Sequence, residues 1–468
     1  MLSTISKIPG TPDHMVAKKI AIIGGGFSGA LMAINLVRNG GPKAILIERK
    51  PVAGRGLAYS TSHEAHLLNV RASNMSAFPD QPDHFVAWLS SQGTPASDAF
   101  VPRALYGQYL SDLLAEAKQA APERLEICHD EAIDIALASN KDPHEVTIQL
   151  KSGTRVNANT AILALGNLPP LTPEGLDPAE LGHHYIADPW SADLTQRLGD
   201  DDDLLVIGTG LTMVDVVLLL DEYGFKGRIT AISRRGLVPR VHGASTTDLP
   251  PLAERPKGEI TAMLRMVRAR SDLIGWRAAI DELRPFTQAI WQAASETQKL
   301  RFLRHLRPWW DVHRHRLAPV VAERIEALRG AGRLRVIAGR TQSFRLQQDH
   351  VEVSWLPRGS GETKHGTFAR VINCTGPQSD PTRTHDQLVL SLVANGLAQA
   401  DALGLGLAVD SQGHLLSKGD KKNTALLSLG PMTRGTFWEI TAVPDIRKQV
   451  WDIARRLSNA HWVGGEGL

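Results

Sequence analysis

The stretch from Lys18 to Lys50, KKIAIIGGGFSGALMAINLVRNGGPKAILIERK, constrains the fold more than any other part of the chain. A short β-rich apolar run ends in glycines, with Gly24, Gly26 and Gly29 in the pattern G-x-G-x-x-G. FSGALMAINLVRNG then has helical spacing and closes on glycine, and AILIERK is a second apolar run. Strand, glycine turn, helix and strand in that order make a βαβ unit. The first glycine permits the tight turn, the second lets backbone approach a pyrophosphate, and the third lets helix and strand pack closely. The helix start, with Phe27 and Ser28, presents free N–H groups and the positive end of its dipole to the phosphates. Glu48, at the end of the second strand and followed by Arg49, is placed to accept from ribose hydroxyls and repels a 2′-phosphate. The site therefore suits FAD or NAD.

A second unit follows the acidic stretch GDDDD at 199–203. LLVIGTG is its strand, LTMVDVVLLLDEYG its helix and GRITAISRRG its next strand. Gly208 and Gly210 repeat the turn, Thr212 follows, and Met213 stands where the third glycine would be, which predicts wider helix packing. No acid ends the following strand. Ser233, Arg234 and Arg235 stand there instead, and two guanidiniums with a hydroxyl suit a 2′-phosphate. NADPH is therefore preferred over NADH at this site, with FAD at the first.

These units predict an α/β chain of two Rossmann-like dinucleotide-binding domains, three-layer, with a helical insertion in the second. The FAD domain is expected to be split over 18–190 and 365–468, after a flexible leader at 1–17. The NADPH domain spans 191–364, with a helical segment at 251–330 punctuated by Pro285, Pro308 and Pro319. RVIAGR, HVEVSWL and ARVINCTGP return to β character, and the last segment reads as strand, glycine-rich turn and long helix.

Composition narrows the function classes. A net charge of +3 over 468 residues is small for a nucleic-acid binder. No run of 18 apolar residues predicts a membrane span. The two cysteines, Cys128 and Cys374, allow neither a disulfide framework nor a C-x-x-C redox pair, and no metal site is expected. Low cysteine content fits a reducing, cytoplasmic compartment. Cys374, ending an apolar run, reads as core rather than nucleophile.

The chain resembles the bacterial FAD/NAD(P)-binding proteins that share their fold with flavin-dependent N-hydroxylases and Baeyer–Villiger monooxygenases. IAIIGGGFSGA (20–30), GRGLAYSTSHEAHLLNVRASNMSAFPDQPDHFVAWL (54–89), VPRALYGQYL (101–110), VIGTGLTMVDVV (206–217), RPWWDVHRHRLAP (307–319), and INCTGP (372–377) with LGPMTRGTFWEITAVPDIRKQ (429–449) carry the likeness. The resemblance implies that Leu68, Asn69 and Val70 lie near the flavin ring, Asn69 in a catalytic role. Gly166 would lie in the linker leaving the FAD domain, Thr375 and Gly376 in the return linker, and Gly430 in the ribityl or pyrophosphate region. The helix starting near Thr441 would aim its N-terminus at the flavin. Trp438 either packs that helix or touches the flavin, and Glu439 either complements the helix dipole or does the same.

RFLRHLRPWWDVHRHRLAP is the least ordinary stretch. Asp311 and His315 are spaced to share a helix face. The segment is either a cap over the cofactor cleft, with Arg314 or His315 facing substrate or nicotinamide, or a solvated, partly packed helix. The resemblance implies an NADPH-dependent FAD monooxygenase in which hydride reduces FAD and a C4a-oxygen adduct oxygenates a small nucleophile, such as an amine or amino acid. Its partners would be that small molecule and O2, with no nucleic acid or membrane and an open oligomeric state. Two rivals stand beside it: an NADPH:acceptor flavin reductase without oxygen insertion, and a nucleotide-binding redox sensor.

Overall fold

The computed structural model describes residues 18–94, 98–138, 146–190, 193–243 and 249–459. The expected leader at 1–17 lies outside them. Two mixed sheets organise the chain, as the paired glycine turns predict. The first has six strands in the order His414–Ser417, Lys421–Ser428, Thr160–Leu163, Lys19–Ile23, Lys43–Ile47 and Leu125–Cys128. All pairings are parallel except the outermost hairpin, His414–Ser417 with Lys421–Ser428. Lys19–Ile23 is covered on both sides, which is why its sequence is a continuous apolar run rather than an alternating one. Ile20 and Ile22 pack with the helices Phe27–Arg38, Arg103–Ala120 and Val443–Leu457. Ala21 and Ile23 pack on the other face with an antiparallel sheet, Ala132–Leu137, Val146–Leu150 and Arg155–Ala158, and with the helix Gln387–Ala394.

The second sheet has seven strands: Lys364–Phe368, His350–Pro357, Leu334–Gln347, Ile229–Ser233, Leu204–Ile207, Arg370–Asn373 and Tyr185–Ile186. Leu204 and Val206 face the helices Leu211–Glu222 and Pro319–Gly330, whereas Leu205 and Ile207 face Val351, Val353 and Trp355 of the hairpin. Tyr185–Ile186 and Arg370–Asn373 pair with each other, and Arg370–Asn373 pairs with Leu204–Ile207. Strands on both sides of the expected 191–364 span thus belong to the second sheet. The outgoing and return linkers touch at the antiparallel bridge Leu168–Gln378.

The helical insertion comprises Ile260–Ile274, Trp276–Asp281, Thr287–Ala293, Glu296–His305 and Arg307–Arg314, followed by Pro319–Gly330. Ser295 and Gln298 form a capping box that starts the Glu296–His305 helix. The insertion reaches back to the first domain: Trp291 Nε1 donates to Gly435 O at 2.8 Å and Gln288 Nε2 to Thr436 O at 3.2 Å. Two further joints hold the domains together. Arg103 grips Asp215 with two hydrogen bonds of 2.9 and 3.1 Å, their side chains only 14% and 8% exposed. Buried His66 donates from Nε2 to the Asp215 carbonyl at 3.1 Å. Among the described residues no helix is long and apolar enough to cross a membrane.

Candidate active site and nucleotide sites

Both glycine turns are built alike. Gly24 and Gly208 have φ of +101° and +112°, a region that only glycine enters freely. Each also lies against the end of a neighbouring strand. A Cβ on Gly24 would stand 2.4 Å from the Ala164 carbonyl oxygen, and one on Gly208 would stand 2.1 Å from that of Cys374. Gly26 and Gly210 occupy the N-cap positions of Phe27–Arg38 and Leu211–Glu222, and neither helix has a side-chain cap. The first-turn N–H groups are thus left for an anion.

Around the first turn, Glu48 is buried and accepts from Gly25 N at 2.6 Å on Oε2 and from Lys50 N at 2.8 Å on Oε1. It braces the loop and keeps further lone pairs for ribose hydroxyls. Gly430 stands at the same place: a Cβ there would be 2.8 Å from Ser28 Oγ. Buried Gln449 fixes that loop, accepting from Gly430 N at 2.8 Å and donating to Thr433 Oγ1 at 3.2 Å. Several predicted side chains point elsewhere. The Phe27 ring packs edge-on to Tyr59 in the core, so only its backbone remains for a phosphate. Arg49 reaches outward to Glu131 and Asp386 at 3.4 and 3.6 Å. Leu68 is a core residue and Val70 is packed against the same core, while the Asn69 carbonyl accepts from His242 Nε2 at 3.0 Å. Of the three, the Asn69 backbone is thus the one bonded across to the second domain. Gly166 adopts φ +70° in the outgoing linker.

At the second turn, the Ser233 hydroxyl is engaged by Thr209 Oγ1 at 2.7 Å and by Gly236 N at 3.1 Å, so it shapes the loop. Thr212 lies in the first turn of Leu211–Glu222 and is half-buried. Arg234 and Arg235 line a cavity of about 340 Å³ together with Arg304 and Arg358. Sequence reasoning missed these last two because they come from the helical insertion and the hairpin. No carboxylate among the described residues pairs with any of the four. Thr375 and Gly376, expected in the return linker, follow the strand Arg370–Asn373 beside Gly208, and Thr375 donates from N and Oγ1 to Asn373 Oδ1 at 3.2 and 2.7 Å. Cys374 is core, as expected, and burial pushes its thiol far up.

The basic aromatic stretch forms a polar centre with the C-terminal segment. Arg307–Arg314 is a helix, and His315 is its C-cap rather than a member of an Asp311 face. The terminal helix runs Val443–Leu457 with Ala442 as its N-cap, so it does start near Thr441; Glu439, four residues before its first turn, takes φ +69°. Buried Glu439 is therefore not a first-turn acid. It accepts from Trp310 Nε1 at 2.7 Å and from Arg314 Nε at 2.9 Å. Trp438 packs, stacking on Trp291 at 4.5 Å between ring centroids with Phe302 edge-on at 5.4 Å. Burial pushes the His315 imidazole below its ordinary pKa. Burial also raises the carboxyl of Asp445, which sits near Arg284 and Arg314. Neither Asp445 nor Arg284 was foreseen from sequence.

The donor sets fit the groups the sequence implies. An uncapped helix start, a glycine turn and an acid suit a dinucleotide, and a second uncapped helix start, with a four-arginine cavity after the next strand of the same unit, suits a dinucleotide carrying a further phosphate. Known proteins agree. Residues 21–168 match a family model described as FAD-NAD(P)-binding. An L-aspartate N-monooxygenase (nitrosuccinate-forming) from Streptomyces cremeus is 29% identical over 183 residues, 36% of this chain and 27% of that protein's length. The cadaverine monooxygenase of Erwinia amylovora, solved with FAD, has TM-score 0.66 at 12% identity, covering 95% of each chain. An ornithine N-hydroxylase from Kutzneria gives TM-score 0.63 at 16% identity, with 95% of this chain and 99% of that one covered. The L-lysine 6-monooxygenase of Pseudomonas syringae gives 0.64 at 15% identity, with the same coverage. Residues 21–168 thus carry an FAD-NAD(P)-binding domain, set in a chain-long fold in common with amine-hydroxylating monooxygenases.

Proposed function

We propose that the protein is an NADPH-dependent FAD monooxygenase that oxygenates the nitrogen of a small amine or amino acid. The reaction consumes NADPH, a proton, O2 and R–NH2 and yields NADP+, water and R–NHOH. The observation that carries the reading is the pairing of two unlike cradles in one chain: Glu48 at the first glycine turn, and a carboxylate-free arginine cavity at the second. In this reading the backbone of Gly24 and Gly26 and the Phe27–Arg38 N-terminus hold the FAD pyrophosphate, Glu48 its ribose, and Gly430 the adjoining region. Gly208, Gly210 and Thr212 hold the NADPH pyrophosphate, and Arg234, Arg235, Arg304 and Arg358 its 2′-phosphate. Bound FAD supplies two-electron redox chemistry and reaction with O2.

The chain's own contribution is positioning and exclusion of water. The Arg103–Asp215 clamp and the His66 and His242 bonds hold the nucleotide domains in one relation. The Trp291–Trp438–Phe302 cluster covers the C-terminal segment with apolar rings. Glu439 ties the insertion to the segment entering the Val443–Leu457 helix, whose N-terminal dipole end stabilises negative charge before it.

The test is to purify the protein, load it with FAD and supply NADPH, O2 and a panel of amines and amino acids. Flavin reduction by NADPH and an N-oxygenated product support the reading. Reduction with turnover only on quinones or dyes would replace it with the acceptor reductase, and no NADPH-dependent reduction would refute both.

A further inference from the structure

We propose that His183, His184 and Asp349 bind a late first-row divalent cation of the Zn2+ class, which clips the entry segment of the second domain to the turn of its hairpin. The proposal is independent of the redox reading above.

The three residues come together only in the fold. Gly182–His184 is a short turn of 3-10 helix directly ahead of the strand Tyr185–Ile186. Asp349 lies between Leu334–Gln347 and His350–Pro357, where Gln348 takes φ +56° to turn the hairpin. Each residue offers one ligand atom, and the three atoms lie within 4.8 Å of one another. The two imidazole rings stand 4.0 Å apart between centroids. Composition raises no expectation of this site, because Asp349 is distant in sequence from the histidine pair.

His184 carries the argument. It is buried, and its Nδ1 donates to the Ala369 carbonyl oxygen at 2.8 Å. A carbonyl only accepts, so Nδ1 holds the proton, and Nε2 of a neutral ring is then a bare lone pair. That lone pair faces Asp349 Oδ1 at 3.3 Å. Two acceptors at this separation repel unless a cation stands between them. A proton would join these two groups and leave the convergence of His183 unexplained, whereas a metal ion takes all three. With Zn–N and Zn–O bonds of about 2.0–2.2 Å, two ligand atoms of a tetrahedral ion stand about 3.3–3.6 Å apart. The His184–Asp349 separation matches that edge. The exposed side chains of His183 and Asp349 can rotate to close any wider gap, and they give an ion access. The bond from Nδ1 to the Ala369 carbonyl is the outer partner that a ligating imidazole needs to fix its tautomer and orientation. Two imidazoles and one carboxylate suit Zn2+ and its neighbours, whereas Mg2+ and Ca2+ take oxygen ligands.

Topology gives the ion a structural role. Tyr185 pairs with Val371 and Leu204 with Arg370 in parallel, so His184 and Ala369 lie at the N-terminal ends of these strands. Gly208 follows the opposite, C-terminal end of Leu204–Ile207. The ion would therefore sit away from the glycine turn and hold a two-residue edge strand, Tyr185–Ile186, to the hairpin.

The test is titration calorimetry of tag-free, chelator-stripped full-length protein with Zn2+ at about pH 7.5, above the ordinary imidazole pKa, repeated with Mg2+ and Ca2+. One tight Zn2+ per chain is expected, with Mg2+ and Ca2+ failing to displace it. At a free Zn2+ concentration of about 100 times Kd the folded state gains about 100-fold over the unfolded one, read as a melting temperature higher by a few degrees. His183→Ala and Asp349→Ala, both at exposed positions, should each weaken Zn2+ by about tenfold or more and abolish the rise, with melting in chelator checking the fold. If one variant does not fold, the other decides. No tight Zn2+, equal binding of Mg2+ or Ca2+, or full Zn2+ affinity in the folded variants would overturn the proposal. A lower melting temperature for Asp349→Ala in chelator, with no tight Zn2+ in the unsubstituted protein, would replace the metal with a plain His184–Asp349 ion pair.

Discussion

Removing the guanidiniums of Arg234 and Arg235 separates a phosphate clamp from a solvated arginine pair. Both residues line the cavity of about 340 Å³, in which Arg304 and Arg358 are the other charged groups. The neighbouring Ser233 hydroxyl is already engaged by Thr209 and Gly236, so discrimination falls on the arginines. A hydrogen bond to a charged group contributes about 1.5–3 kcal/mol. Arg234 is exposed, which favours the lower end. Arg234→Ala with Arg235→Ala should therefore cost about 3 kcal/mol in NADPH binding, on the order of 100-fold in Kd. NADH lacks the 2′-phosphate and should lose little. The assay is anaerobic bleaching of the flavin against NADPH and NADH concentration, at low and high salt. The NADPH preference should narrow, and the wild-type preference should itself shrink as salt screens the charges. Equal loss for both nucleotides, or no loss for either, would sink the 2′-phosphate assignment.

Three further outcomes follow from the same geometry. Gly26→Val should leave the protein colourless, because a Cβ at Gly26 already stands 3.3 Å from Gly56 Cα and the added methyls enter the pyrophosphate approach; a yellow, fully loaded variant would refute the first-site reading. Arg103→Met leaves the Asp215 carboxylate buried and unpaired, and should destabilise by about 3–5 kcal/mol in denaturant melts, whereas Arg103→Met with Asp215→Leu should recover much of that loss. His66, His242 and His315 are all held below the ordinary imidazole pKa by burial, so below about pH 6.5 the unfolded chain takes up protons the folded one refuses. Stability should be fully present above that value and fall as pH drops below it, seen as a lower melting temperature at about pH 6 than at about pH 7.5, with a smaller drop in His66→Gln.

What was legible in the sequence was local. Each glycine turn announces its own strand, helix and acid or arginine within one βαβ unit, and Glu48, Arg234 and Arg235 stand where that unit puts them. What was not legible is pairing across distance. ARVINCTGP reads as a strand, but nothing in it says that Arg370–Asn373 joins Leu204–Ile207 instead of returning to the first sheet. The antiparallel sheet over 132–158 is made of short strands whose partners are known only once the first sheet exists. Arg304 and Arg358 reach their cavity from separate elements, and Asp445 meets Arg284 only through docking of the insertion. Glu439 read as a first-turn acid or a flavin contact, and nothing local says that its carboxylate meets Trp310 and Arg314 of the insertion instead. Gln449 did leave a signal: it interrupts the apolar stripe of Ile446, Val450 and Ile453, and a buried amide on such a stripe needs a partner, here Gly430.

The most direct test of the central claim is rapid mixing. The FAD-loaded protein is reduced with one equivalent of NADPH without air, then mixed with oxygenated buffer and a substrate that binds, and the flavin spectrum and the product are followed together. The account predicts a delay between consumption of O2 and return of the oxidised flavin spectrum, with one N-oxygenated product per NADPH consumed and little hydrogen peroxide. Immediate return of oxidised flavin with one peroxide per NADPH and no oxygenated product would contradict it.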